Sequence, residues 1–217
     1  MNLELYTAAL DPDANEIARL SLLLSEEERQ RAERFRFDRD RRRFLVRRAK
    51  LRQILGARAG IRPELLRFET GAHGKPSLKG GACPFSASHS DELMLVAIGD
   101  QEVGCDVERI VPDFDWQPLA ERFFTTNERQ ALLFASDGLD AFFRCWTRKE
   151  AFVKGLSLGL SYPLNAFQVS VGKTANFLSG GRGWSLMGDT IGADYVFAIA
   201  VRERISSCSI ERVLIHI

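Results

Sequence analysis

The sequence of 217 residues has few cysteines and histidines, and they do not form a metal-binding pattern. The cysteines include no C-x-x-C pair, and only three histidines could join them as ligands. These residues are Cys83, Cys105, Cys145 and Cys208, with His73, His89 and His216. A structural zinc site is therefore not expected. In a chain without export signals, such cysteines are expected to be reduced, buried thiols.

Long hydrophobic runs and an excess of one charge are also missing. The longest uncharged segment, residues 155–172, is interrupted by serine, proline, asparagine and glutamine, which excludes a membrane span. The first residues have neither a basic start nor an apolar stretch, so a cytoplasmic protein is predicted. Thirty Lys and Arg oppose 29 Asp and Glu, a net charge of +1, so any charge-based function must be local.

The 45% of hydrophobic residues can form a substantial core, and neither a repeat nor a linker divides the chain. Patterning predicts an α+β fold of two comparable halves, residues 1–104 and 105–217. Strands are predicted at 3–8, 93–98, 103–110, 167–171, 195–201 and 208–217. Helices are predicted from residue 25, from 38 or 40 to about 60, at 116–134 and at 137–154 closed by Gly155. The turn at residues 99–100 predicts a hairpin between the second and third strands.

The most basic part of the chain is residues 29–52, with twelve Lys and Arg against three acids. On the predicted helix, Phe44, Leu51 and Leu55 form an apolar stripe. Arg43, Arg47 and Lys50 lie together beside that stripe. Clustered arginines allow a nucleic-acid contact as one alternative, but aromatic side chains are not interleaved there in a recognisable RNA-binding pattern.

The predicted strand at 103–110 carries two carboxylates with period-two spacing. Asp106 and Glu108 leave the same face, whereas Cys105 and Val107 point inward. Two carboxylates so close either share a proton or bind a hard divalent cation through oxygen. An ordinary solvated strand face is the alternative.

The predicted helix at 137–154 supplies a third carboxylate. Phe142, Trp146 and Val153 form its buried stripe, while Glu150 and Lys154 are four residues apart on one flank. The alternative for this pair is a surface ion pair of little energetic consequence.

A third polar cluster, residues 85–90 with sequence FSASHS, precedes a strand. Its three hydroxyls, its histidine and nearby backbone amides can hold a phosphate group. The alternative for His89 is a structural histidine with satisfied hydrogen bonds.

Taken together, these segments resemble the ordered motif series of the Sfp-type 4′-phosphopantetheinyl transferases over about residues 25–170. The matching segments are residues 74–76 (GKP), 85–90 (FSASHS), 103–108 (VGCDVE), 122–124 (RFF) with Glu128, 146–154 (WTRKEAFVK) and 155–164. The elements G-x-D-x-E and W-x-x-K-E-A-x-x-K are specific when they occur together.

The resemblance implies transfer of the phosphopantetheine arm of coenzyme A to a serine of an acyl, peptidyl or aryl carrier protein, with release of adenosine 3′,5′-bisphosphate. It implies Mg²⁺ or Mn²⁺, a monomer, and a pseudo-dimer of two α+β halves with the site between them. The implied metal ligands are Asp106, Glu108 and Glu150. The implied catalytic residues are Glu150 and Lys154. The implied coenzyme A contacts are Arg31, Arg43, Lys75, Ser88 and His89.

Carrier docking requires a basic and apolar rim, since such carriers are usually acidic around their serine. Phe114, Trp116 and Phe123 are candidates, with a role in the core as the alternative. A Mg²⁺-dependent nucleotide hydrolase using the same acids is a second alternative, although the sequence has no P-loop or kinase motif. Neither nucleic acid nor a membrane is an expected partner.

Overall fold

The computed structural model describes residues 2–81, 83–202 and 214–216. Runs of strands and runs of helices follow one another along the chain, as the α+β prediction requires. The strands are β1 (Leu3–Ala9), β2 (Phe68–Thr70), β3 (Pro76–Leu78), β4 (Phe85–Ser90), β5 (Leu93–Gly99), β6 (Val103–Arg109), β7 (Gln168–Val169), β8 (Phe177–Ser179), β9 (Trp184–Ile191), β10 (Tyr195–Arg202) and β11 (Leu214–His216). The helices are α1 (Ala14–Ser21), α2 (Glu26–Glu33), α3 (Asp38–Ala59), α4 (Gln117–Phe123), α5 (Thr126–Leu133) and α6 (Gly138–Leu156). Short 3-10 turns lie at Pro63–Leu65, Gly159–Ser161 and Leu164–Ala166.

Two sheets form the centre of the fold. The first has the order β11-β1-β5-β4, and the second has the order β6-β10-β9. All neighbouring strands in them are antiparallel except β1 and β11, which are parallel. Of the predicted strand at 208–217, only Leu214–His216 lies within the described residues, and Cys208 lies outside them.

Strand alternation builds a four-layer arrangement from these sheets. On β5, Met94, Val96 and Ile98 join the core beneath α3, while Leu95 and Ala97 face the other sheet. The second sheet meets that face with a layer that includes Val103, Cys105, Val107, Phe197, Ile199 and Val201. Its opposite face packs beneath α6. The order of layers is therefore α3, first sheet, second sheet and α6.

The predicted hairpin between residues 93–98 and 103–110 is wrong. β5 pairs with β1 and β4, whereas β6 pairs with β10, so the chain crosses from one sheet to the other at residues 100–102. Tight hairpin turns use positive φ angles, and none of residues 99–102 has one. The hairpin partner of β5 is β4, through a turn where Asp91 has a φ of 48°.

Several helix boundaries differ from the predictions. The predicted helix at 116–134 is divided into α4 and α5, because Thr125 and Glu128 form a capping box that starts a new helix. Helix α1 was not predicted. Helix α3 starts at Asp38 without a side-chain cap, and Gly60, the residue after its end, has a φ of 67°. Gly155 lies inside α6, and Ser157 takes the left-handed position after it.

Two glycines set the distance between β6 and α6. A Cβ atom on Gly104 would lie 2.8 Å from the Cα of Gly155 and closer still to the carbonyl oxygen of Ala151. A Cβ atom on Gly155 would lie 2.6 Å from the Trp184 ring. The helix therefore approaches the strand as closely as its backbone allows, which brings the polar residues of both elements together.

Within the described part of the chain, no helix has the length and hydropathy needed to cross a membrane. Cys83, Cys105 and Cys145 are free cysteines; Cys105 and Cys145 are buried, as predicted, whereas Cys83 is only partly buried.

Candidate active site

The carboxylates predicted on the strand and on the helix belong to packed neighbours. Asp106 and Glu108 lie on β6, and Glu150 lies on α6, the helix that packs on this sheet. The side chains of Cys105 and Val107 point into the layer between the sheets, as predicted. Asp106 is 2% exposed, and Glu108 and Glu150 are half-buried. The alternative of an ordinary solvated strand face is therefore wrong for Asp106.

Lys154 forms an ion pair across the site rather than along its own helix. Its Nζ lies 2.6 Å from Oδ1 of Asp106 and donates a second hydrogen bond of 2.9 Å to Oγ of Ser88. Burial disfavours the ammonium, but the Asp106 carboxylate outweighs this and raises the pKa of Lys154 above its ordinary value. The alternative of a surface ion pair between Glu150 and Lys154 is not seen among the described residues, and the contact of Lys154 with Asp106 joins α6 to β6 instead.

The other two carboxylates, Glu108 and Glu150, have raised pKa values. Burial and repulsion from Asp106 raise the pKa of Glu108 to about 7. The same two causes raise the pKa of Glu150. Carboxylates with raised pKa values in a cleft are typical of sites that accept a proton or a cation.

The donor set suits a hard divalent cation. Oδ2 of Asp106 is buried without a hydrogen-bond partner, although a buried carboxylate oxygen is costly to leave unpaired. Oxygen ligands of this kind are those that Mg²⁺ prefers. Within the described residues, however, no three His, Cys, Asp or Glu side chains form a ready-made metal-binding group. The assignment of Asp106, Glu108 and Glu150 as metal ligands stays a prediction.

The three serines of the predicted phosphate cradle contact β6. Ser86 accepts a 3.0 Å hydrogen bond from the backbone amide of Cys105. Ser88 donates to Oδ1 of Asp106 at 2.7 Å, and Ser90 donates to Oε2 of Glu108 at 2.7 Å. These bonds link the edge strands of the two sheets and orient both strand carboxylates. Their period-two spacing, which matches that of Asp106 and Glu108, is a signal that the sequence analysis missed.

His89, between two of these serines, retains exposed surface. Partial burial, followed by the charges of Arg47, Lys154 and Arg43, lowers the pKa of His89 to about 4. The imidazole is therefore neutral near pH 7. It can donate one N–H.

The other predicted coenzyme A contacts differ in the partners that their side chains already have within the protein. Arg43 is bound by two carboxylates, Asp11 at 2.9 Å and Asp91 at 2.5 Å. Nζ of Lys75 donates to the carbonyl oxygen of Val103 at 2.9 Å, and burial lowers the pKa of Lys75. Arg31 lies 5.5 Å from the ring centre of Phe44.

Two adjacent residues of the W-x-x-K-E-A motif, Lys149 and Glu150, lie in different environments. Lys149 is fully buried, lies 2.8 Å from Glu128, and donates to the carbonyl oxygens of Leu164 and Phe167. Lys149 therefore fastens the segment after α6 to the core, whereas Glu150, the next residue, is half-buried and is influenced by the charge of Asp106.

The candidate docking aromatics pack largely against the core. Phe114 and Trp116 lie 5.9 and 5.8 Å from the ring of Phe142, and Phe123 lies 5.8 Å from Trp146. All are only partly buried, so each retains surface besides its core contacts.

Two protein families match adjoining parts of this chain. The family described as the 4'-phosphopantetheinyl transferase superfamily matches residues 102–200. The family described as 4'-phosphopantetheinyl transferase, N-terminal, matches residues 9–101. This chain belongs to the 4′-phosphopantetheinyl transferases. It is accordingly a transferase enzyme with an α+β fold, and its two halves correspond to the two matched regions.

Individual transferases match over much of their length. The 4'-phosphopantetheinyl transferase HetI of Nostoc sp. is 34% identical over 205 residues, which cover 91% of this chain and 86% of that protein. The 4'-phosphopantetheinyl transferase psf-1 of Bacillus pumilus is 39% identical over 155 residues, or 70% and 66% of the two chains. The 4'-phosphopantetheinyl transferase Sfp of Bacillus subtilis is 31% identical over 163 residues, or 74% and 71%.

Proposed function

We propose that this transferase is of the Sfp type and moves the 4′-phosphopantetheine group of coenzyme A to a serine hydroxyl of an apo acyl, peptidyl or aryl carrier protein. The reaction depends on Mg²⁺, or on Mn²⁺, and releases adenosine 3′,5′-bisphosphate. The observation that carries the proposal is the ion pair of Lys154 on α6 with Asp106 on β6. The charge of Asp106 also acts on both Glu108 and Glu150. The names of the relatives support the group transferred.

Coenzyme A is strongly anionic, and cations from both halves surround the site. The proposed contacts are Arg31, Arg43, Lys75, Ser88 and His89. Neutral His89 donates an N–H to a phosphate oxygen, and Ser88 and Lys154 are already joined by a hydrogen bond beside it. Positioning and electrostatic compensation are the main requirements for transfer of a phosphoryl group.

Asp106, Glu108 and Glu150 would hold the divalent cation. When bound, it supplies charge neutralisation for the diphosphate and for the developing negative charge. The unpartnered Oδ2 of Asp106 is the donor that supports this assignment most directly.

Glu150 is the proposed general base. Its raised pKa makes the carboxylate a better proton acceptor than an ordinary glutamate. The carrier serine forms a bond to the phosphorus on the pantetheine side, and the bond from that phosphorus to the bridging oxygen breaks. The serine proton goes to Glu150, and adenosine 3′,5′-bisphosphate leaves with the bridging oxygen. Lys154 offsets negative charge on the reacting phosphates.

The two halves supply different groups to the proposed site. Residues 1–104 supply the proposed coenzyme A contacts, and residues 105–217 supply the proposed metal ligands and the catalytic helix. The cleft between β4, β6 and α6 is the proposed site. A monomeric, cytoplasmic enzyme remains the prediction.

The test is transfer itself. The protein is incubated with coenzyme A, Mg²⁺ and a panel of apo carrier proteins, and intact masses are read for one added phosphopantetheine. Omission of the metal and the Glu150→Gln variant are the controls. Loss of the mass increase in both is expected. If no carrier is modified and phosphate is released from nucleotides instead, the proposal is wrong and the hydrolase alternative is favoured.

A further inference from the structure

Lys154 interacts with all three carboxylates to which the divalent cation is assigned. Its Nζ lies 2.6 Å from Oδ1 of Asp106 on the neighbouring strand. Its positive charge also acts on Glu108, two residues further along that strand, and on Glu150, four residues before it on α6. A single ammonium therefore offsets part of the negative charge of the whole group of acids within the protein itself.

The position of this ammonium is fixed by its contacts. Nζ donates a 2.9 Å hydrogen bond to Oγ of Ser88, and the same hydroxyl donates to Oδ1 of Asp106 at 2.7 Å. The side chain of Lys154 is 32% exposed, and that of Asp106 is 3% exposed. Charges in such a partly buried site are screened less by water and salt than charges on the surface. Any other cation that binds these acids therefore meets a fixed positive charge.

Asp106 is the residue on which two cations would meet. Within the described residues its second oxygen, Oδ2, is buried and has no hydrogen-bond partner. That oxygen can accept a divalent cation, but the cation would share one carboxylate with the Lys154 ammonium. Repulsion between the two cations opposes metal binding, and this repulsion is offset when an anion binds the ammonium.

We propose that Lys154 is the built-in counter-charge of the three acids and makes tight binding of the divalent metal conditional on the diphosphate of coenzyme A. This inference rests on the proposed function, which brings the diphosphate to Lys154. Without coenzyme A, the ammonium weakens the binding of a second cation. The negative diphosphate then offsets the ammonium, so cofactor and metal increase each other's affinity by the same factor.

A neutral residue at position 154 separates this effect from the direct contact of a metal with phosphate oxygens. A diphosphate that bridges to the metal raises metal affinity in any protein, with or without the lysine. Repulsion in the absence of coenzyme A, however, requires the charge of Lys154. Removal of that charge is therefore expected to strengthen metal binding by the protein alone, although Lys154 belongs to the proposed catalytic residues.

The experiment titrates the whole protein with Mn²⁺ and measures the free ion by electron paramagnetic resonance, with and without saturating coenzyme A and with no carrier present. The main variant is Lys154→Gln, whose amide keeps a hydrogen-bond donor for Asp106 but carries no charge. Without coenzyme A, its affinity for Mn²⁺ is expected to be at least about tenfold higher than that of the parent. The factor by which coenzyme A raises the Mn²⁺ affinity is expected to be smaller in the variant than in the parent.

Three controls show that the effect belongs to the charge and to this site. Lys154→Arg keeps the charge and is expected to bind Mn²⁺ alone as weakly as the parent. Lys79→Gln, at an exposed lysine, changes the net charge equally and is expected to bind Mn²⁺ as the parent does. Adding Asp106→Asn to Lys154→Gln is expected to remove the gain, because the ion loses its carboxylate.

Thermal melts establish that each variant is folded, and Lys154→Met is a second neutral variant. Its melting temperature is expected to rise when Mn²⁺ is added without coenzyme A, since the ion replaces the missing charge beside Asp106. Unchanged or weaker Mn²⁺ binding in both neutral variants, or an equal effect of coenzyme A in Lys154→Gln and the parent, would overturn the inference. Carrier modification by the parent would still uphold the proposed function in that case. Tighter Mn²⁺ binding by the neutral variants of a parent that modifies no carrier would uphold the counter-charge role and refute the proposed function.

Discussion

The ammonium of Lys154 lies 2.6 Å from Oδ1 of Asp106, across the boundary between α6 and β6. Because Oδ2 of the same carboxylate has no hydrogen-bond partner, Asp106 has one oxygen engaged and one still available. The ion pair is thus compatible with a further cation at the second oxygen, and it fixes the carboxylate before any ligand arrives.

This relationship predicts a strong coupling between the two residues. Lys154→Met leaves Asp106 buried without its counter-charge and is expected to lower the free energy of unfolding by roughly 2 kcal/mol. That is less than the roughly 3–5 kcal/mol for fully buried pairs, because the Lys154 side chain is 32% exposed. Adding Asp106→Asn should recover part of the loss. Urea unfolding of the two single variants and the double variant measures the coupling, and additive effects would contradict it.

Glu150→Gln separates activity from stability. Burial and Asp106 raise the pKa of Glu150, so ionising this carboxylate costs more in the folded state than in the unfolded state. That cost appears as the pH rises through the raised pKa. Glutamine removes it, and the melting temperature at pH 7 is expected to stay the same or rise.

Transfer by Glu150→Gln is expected to fall by about 10²–10⁴ if the residue is the general base. Initial rates of carrier modification, read by intact mass, provide the measurement. A variant that melts lower and keeps its rate would assign Glu150 a structural role instead.

The sequence was sufficient to predict which residues share a face of a strand or helix, but not which residues pair between the two elements. Period-two spacing correctly placed Cys105 and Val107 inside, with Asp106 on the opposite face, because alternation is a local property of a strand. Helical spacing placed Glu150 and Lys154 on one flank. The pairing of Lys154 with Asp106 depends instead on how closely α6 packs on β6, which no local pattern encodes.

Ion pairs between distant parts of the chain could not be predicted from the sequence either. Arg43 and Arg47 lie on the same basic helix, yet Asp11 and Asp91, from distant parts of the chain, form ion pairs with Arg43 and, within the described residues, not with Arg47. The predicted hairpin was wrong for a related reason, since β5 and β6 belong to different sheets. Which sheet a strand joins depends on tertiary packing.

Ser90 is expected to position Glu108. Its hydroxyl donates to Oε2 of Glu108 and accepts from the amide of Arg109 at 3.0 Å. Ser90→Ala removes both bonds and is expected to cost about 1–3 kcal/mol of stability, as the partly buried groups lose their partner. The metal concentration giving half-maximal transfer should also increase.

Ser77→Ala, at an exposed serine of β3, is the matched control for Ser90→Ala. It should change neither the melting temperature nor the metal dependence. Unchanged metal dependence in Ser90→Ala, despite a lower melting temperature, would restrict this serine to joining the two sheets.

The ion pairs of Glu28 predict that the contact between α2 and α3 is sensitive to acid. Its carboxylate accepts hydrogen bonds of 2.7 Å from both Arg48 and Arg52, and it is 8% exposed. Burial opposes ionisation, but the arginines prevail and lower the pKa of Glu28 below its ordinary value. A lowered folded-state pKa stabilises the protein above the unfolded value of 4.5, and this contribution is lost as the pH falls through the folded value.

Glu28→Gln should therefore destabilise the protein by about 3 kcal/mol at pH 7. Its stability should also depend less on pH below 4.5 than that of the parent. Chemical unfolding between pH 3 and pH 7 tests both statements. Glu27→Gln, an exposed neighbour on the same helix, is the control. Parallel pH profiles for Glu28→Gln and the parent would show that another carboxylate is responsible.

The close approach of β6 and α6 makes Gly104 the most sensitive backbone position of the site. A Cβ atom there would lie 2.8 Å from the Cα of Gly155 and closer to backbone atoms of the same helix, so Gly104→Ala forces the helix away from the strand. Destabilisation of at least about 3 kcal/mol is expected, since backbone rather than a flexible side chain must move. Transfer should fall further than stability alone explains, because Glu150 and Lys154 move away from Asp106.

Gly172→Ala, where a Cβ atom meets nothing within 4 Å, is the control and should behave like the parent. A Gly104→Ala protein with the parent's melting temperature and rate would mean that the separation between α6 and β6 does not govern the chemistry.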